Sequence, residues 1–139
     1  MHVEGRLAPA TAEEVRDEYD ALAPVARTVV RETAKAMAFD RDEYDERVTT
    51  AVVETALDAL FASLLEVHVG TRDEFEAFRD DHPTLDAAVE GSDTVDRAAW
   101  HPAPAADLLV AATFQSEEEA AVGTLRRQAF GKAYRDIVH

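Results

Sequence analysis

Apolar side chains recur at three- and four-residue spacing from residue 12 to about 38, where Val15, Tyr19, Leu22, Ala26, Val29, Val30, Thr33 and Met37 fall on one stripe. That period predicts an amphipathic helix. Pro24 interrupts it at a cost of ~3 kcal/mol in a straight helix interior, and because the stripe stays in phase across the proline, a kink is expected. A second helix is predicted over about 41 to 68. Its later half, Leu57, Leu60, Phe61, Leu64, Leu65 and Val67, is apolar nearly all round, the mark of a helix at the centre of its domain. Gly70 would cap it. A short helix is expected over 72–81 with Phe75 and Phe78 inward, another over Thr84–Glu90, and a long final helix from 117 to about 138.

Four matches to the capping-box pattern support these starts: Thr11 with Glu14, Asp40 with Glu43, Thr71 with Glu74, and Ser116 with Glu119. The stretch from Gly91 to Pro104, GSDTVDRAAWHPAP, has the punctuation of a long loop. Residues 105–114, AADLLVAATF, fit a helix or a buried strand, and their alanines favour helix. The expectation is one all-α domain over residues 1–139, a bundle of four to five helices around a central apolar one, with a long loop before the C-terminal helices.

Charge changes the picture of the surroundings more than that of the fold. The chain carries 29 Asp and Glu against 14 Lys and Arg, a net charge of −15, and Lys35 and Lys132 are its only lysines. Such a charge repels itself in dilute buffer, whereas at 1 M salt the Debye length of roughly 3 Å screens it. With 47% hydrophobic residues the chain is no disordered acidic tail. An acidic, lysine-poor, cysteine-free composition is expected of a cytoplasm that accumulates salt. Cysteine-based catalysis, disulfides and thiolate metal sites are excluded. No apolar run approaches the ~18 residues of a membrane span, and the charge disfavours nucleic acid as a partner.

Recognisable catalytic or cofactor motifs are missing: the chain has no G-x-G-x-x-G, P-loop, H-E-x-x-H or G-x-S-x-G. No cofactor and no metal is expected, since no two of His2, His68, His82, His101 and His139 share i,i+4 spacing. Two polar features remain. On an unbroken final helix, Val122, Leu125, Ala129, Phe130, Ala133, Tyr134 and Ile137 span an apolar arc of about 180°, and Arg126 falls near its middle. A guanidinium facing the core demands partners. Glu54, Asp58 and Glu66 are the candidates, giving a buried ion pair or a polar pocket; the other reading is an arginine snorkelling to the edge of the core. The second feature is Trp100-His101-Pro102-Ala103-Pro104, read either as a stiff binding loop or as a plug at the end of the helical core.

The segment AAWHPAPAADLLVAATFQSEEEAAVGTLRRQAFGKAYRD, with the acidic N-terminal helix pair, resembles a family of small uncharacterised proteins from haloarchaea. The resemblance implies a cytoplasmic protein of a salt-accumulating cell and transfers no catalytic or binding residue. The functional expectation is a non-enzymatic binding or interaction module that self-associates as a homodimer. The alternative is a small-ligand or anion-binding protein, or an enzyme, with a pocket near Arg126, Trp100 and His101.

Lowering KCl from molar to low millimolar is expected to unfold the chain cooperatively as carboxylate repulsion is unscreened. A helical circular-dichroism signal unchanged across that range would sink the salt argument.

Overall fold

A computed structural model describes all residues, 1–139. Strand β1 (His2–Glu4) leads into α1 (Ala12–Ala21), α2 (Ala23–Ala36), α3 (Arg41–Arg47) and α4 (Thr50–Ser63). Strand β2 (Val67–Thr71), α5 (Arg72–Asp81), β3 (Asp86–Glu90), β4 (Arg97–Ala103) and β5 (Leu108–Phe114) follow. The chain closes with α6 (Glu118–Ala129), a π-helical turn (Phe130–Tyr134) and α7 (Arg135–Val138). The five strands form one mixed sheet in the order β1-β2-β4-β5-β3, antiparallel except for the β3–β5 pair.

The all-α helical bundle is therefore corrected to an α/β fold. Residues 105–114 are mostly strand, the expected loop over 91–104 contains β4, and the expected helix over 84–90 is β3. The central helix over 41–68 is likewise two helices and the start of β2, with Gly70 inside that strand. Physical reasons for the misreading are visible in β4. Its alanines carry no strand preference, and Pro102 argues against a central strand because it cannot donate to a ladder. The sheet tolerates Pro102 because the β2 ladder stops at Trp100, leaving β4 without a neighbour on that side.

Helix starts follow their caps. Thr11, Asp40 and Thr71 each accept a hydrogen bond from the backbone N–H three residues on, and Thr71 with Glu74 forms the complete reciprocal box. The fourth start differs: α6 is capped at Glu117 with no side-chain bond. Pro24 sits in the first turn of α2, where its missing N–H costs nothing. The break at Leu22 thus lies two residues before the proline.

The two faces of the sheet are covered unequally. Val67, Val69, Ala99, Val110 and Ala112 pack with the helices, among them Phe61 of α4, Leu125 of α6 and Tyr134. Phe61 meets Tyr19, Phe130 and Tyr134 edge-on at 5.5–6.0 Å between ring centroids. The opposite face buries Ala98, Trp100, Leu109 and Ala111 under the single helix α5, with Phe75. No Asp or Glu is buried, so the whole acidic excess lies at or near the surface. No helix is long and apolar enough to cross a membrane.

Candidate functional site

Polar side chains gather in three places, and the first is the turn from α4 into β2. A helix end leaves carbonyls without intrahelical donors. Here Leu64 O accepts from the backbone N–H groups of Arg6 and Leu7 at 2.8 and 2.9 Å. Leu65 O accepts from Arg126 Nε at 2.9 Å, and Glu66 O from His101 Nδ1 at 2.6 Å. A second guanidinium nitrogen, Arg126 Nη2, reaches Glu4 O at 3.5 Å. Gly5 is needed at this crossing. Its φ is +103°, and a Cβ there would stand 2.4 Å from Leu65 O.

Arg126, Glu66 and His101 are thus brought together, through backbone carbonyls. Arg126 has no carboxylate partner; the Glu66 side chain lies 3.7 Å from His68. The phase of the last helix explains the geometry. The π turn takes one residue more than an α turn, and its Phe130, Ala133 and Tyr134 are buried, so the apolar stripe of α6 runs on past Ala129. Within α6 the buried positions are Val122, Leu125 and Ala129, and Arg126 lies to one side of them by about 65° at 100° per residue. Its stem can follow the core while its head reaches the carbonyls.

His101 is fully buried in β4. A carbonyl can only accept, so Nδ1 carries the proton and Nε2 accepts from the Tyr134 hydroxyl at 2.5 Å. Burial lowers the His101 pKa to about 4, with Arg126 and His68 adding to the shift and the bond to Glu66 opposing it. Burial likewise raises the Tyr134 pKa, helped by Glu18. Trp100 points to the other sheet face, where the His68 ring stacks on it at 5.7 Å. Its Nε1 and the Nδ1 of His68 are buried without partners. Desolvation lowers the His68 pKa against the pull of Glu66.

The second place joins residues far apart in sequence. Tyr19 Oη donates to Asp58 at 2.6 Å, and His139 lies 3.0 Å from Asp58 and 3.1 Å from Glu54. Burial raises the Tyr19 pKa, with Asp58 second. Glu54 and Asp58, read from sequence as partners of Arg126, serve Tyr19 and His139 instead. No local motif announces this set, since its members are 39 and 81 residues apart. Asp58 and His139 edge a cleft of about 540 Å³ between α4 and the last helix, shared with Arg127, Phe130 and Arg135.

The third place is the exposed trio His2, Glu4 and Glu118, whose ligand atoms lie within 4.8 Å of one another. These three could each offer a cation one ligand, although Arg97 already holds Glu118 at 3.3 Å.

Two outcomes follow from the α4–β2 turn. Arg126→Leu is expected to cost about 1–3 kcal/mol in urea unfolding, the penalty of a desolvated acceptor at Leu65, because no carboxylate is stranded. For His101 the folded pKa is depressed, so its contribution is complete above the unfolded value of 6.5 and falls away toward the folded value near 4. The loss should reach about 3 kcal/mol at pH 4. It is read as a shrinking stability gap between wild type and His101→Asn as pH drops from 7.5 to 4; a constant gap would contradict it.

No curated protein and no solved structure matches the chain. One family profile does, from residue 6 to residue 135, so that it spans both the clamped turn and the π turn. The chain belongs to that family, a family of unknown function (DUF5809).

Proposed function

We propose that this chain is a non-enzymatic interaction module of a salt-rich cytoplasm, pairing with a second copy of itself through the face formed by α2 and α4. One observation carries the reading. Four of the seven exposed large apolar side chains, Val25, Val29, Met37 and Val52, belong to this face and are 43–60% exposed. Val25, Val29, Thr33 and Met37 follow each other at i,i+4 along α2. A groove of about 440 Å³ runs between Val29, Thr33 and Met37 on one side and Val48, Val52 and Ala56 on the other. It continues along α4 over Ala51, Thr55 and Ala59. Arg47 is the only charged residue lining either stretch.

Charge argues for a second copy as the occupant. Two molecules of net charge −15 repel each other least where the facing surfaces carry no carboxylate, and Arg47 is the only charged residue lining this band. Symmetric pairing through one shared patch is the commonest form of association. The exposed apolar side chains supply the attraction, and screening in concentrated salt removes most of the remaining repulsion.

Sedimentation or light scattering in molar KCl should give the mass of a dimer. Val29→Asp combined with Val52→Asp should give a monomer with unchanged circular dichroism. A wild-type monomer across tens of micromolar, or a dimer that survives both substitutions, would overturn the proposal.

A further inference from the structure

The cleft between α4 and the last helix has a chemistry of its own. Arg127 and Arg135 are eight residues apart, and on an unbroken α-helix they would point about 80° apart. The π turn over Phe130–Tyr134 lies between them. Its extra residue sets everything beyond it back by about 100°, which brings Arg135 to within about 20° of the direction of Arg127. Arg127 and Arg135 both line one cleft of about 540 Å³. That volume lies within the range of small-molecule sites.

These cations are uncommitted. Arg127 bonds only to Thr124 Oγ1, at 3.3 Å, and Arg135 lies over the Phe130 ring at 5.5 Å. Neither Arg127 nor Arg135 takes part in an ion pair, a state they share with most of the Lys and Arg in the chain. Asp58, the one acid lining the cleft, is occupied by Tyr19 and His139. Small residues, Ala59 and Ala62, leave room below the arginines, and Ala59, Ala62, Gly123 and Arg126 extend that room by an adjoining space of about 250 Å³.

We propose that this cleft is an oxyanion site for a small phosphate-bearing molecule, with Arg127 and Arg135 as its paired ligands and Arg126 at its inner edge. A guanidinium presents its N–H groups as a planar fork that matches two phosphate oxygens. Two such forks brought into line suit a doubly charged group. The net charge of −15 repels an extended polyanion over the rest of the surface, so the fit is to a compact ligand. The π turn is the device that assembles the site, in keeping with where such turns are found.

The probe is inorganic phosphate, titrated into the full chain against KCl at constant ionic strength. Amide and arginine side-chain NMR signals are recorded together with the thermal midpoint. Saturable shifts at Arg127 and Arg135, and a rise in the midpoint, are expected. Arg127→Gln with Arg135→Gln should weaken the apparent affinity at least tenfold, while Arg31→Gln on α2 should leave it unchanged. No saturation, or equal weakening by Arg31→Gln, would overturn the site. Should the double variant fail to fold, the wild-type map decides: shifts centred away from the cleft refute the proposal.

Discussion

Three successive carbonyls at the turn from α4 into β2 hold the molecule together, because each is claimed by a different part of the chain. Leu64 takes the N-terminal segment, Leu65 takes α6 through Arg126, and Glu66 takes β4 through His101. A helix that ends inside a fold must find donors for its last carbonyls. Here that requirement joins the helical layer to the sheet. Arg126 suits the place in charge as well as in geometry, since a cation at a helix C-terminus meets the negative end of the dipole.

His101 and Tyr134 extend the same device into the core. The bond to Glu66 fixes the imidazole tautomer, and that tautomer in turn makes Nε2 an acceptor for Tyr134. Tyr134 is aimed there by the π turn that also reorients Arg135. One extra residue thus serves both the packing of the core and the lining of the cleft.

What the sequence allowed to be read follows from whether the signal was local. The caps at Thr11, Asp40 and Thr71 involve bonds spanning three residues, and their patterns located three helix starts. The amphipathic stripe of α1 and α2 was equally plain. β4 and β5 were hidden because Ala98, Ala99, Ala111 and Ala112 are small enough to suit either state, and what makes them strands is pairing with each other and with β2. The apolar arc of the last helix is buried as its spacing predicts, with Val122, Leu125, Ala129, Phe130, Ala133 and Tyr134 in the core. Arg126 lies before the π turn, and its place beside Val122, Leu125 and Ala129 is set within α6 itself. Of the polar candidates, Arg126, Glu66 and His101 do meet, but at backbone carbonyls, which side-chain spacing does not report.

The sheet ends in two open edges, β1 and β3, and each exposes one valine, Val3 or Val89. Charged neighbours flank both: His2 and Glu4 around Val3, and Glu90 with Asp86 along β3. Charges of this kind discourage a strand of another molecule from joining the sheet. Their reach depends on ionic strength. At 1 M salt the screening length of roughly 3 Å is shorter than the ~4.8 Å between paired strands. Screening that eases repulsion among the 29 carboxylates weakens the charges at the sheet edges as well. At that ionic strength the charges flanking Val3 and Val89 act over less than one strand spacing.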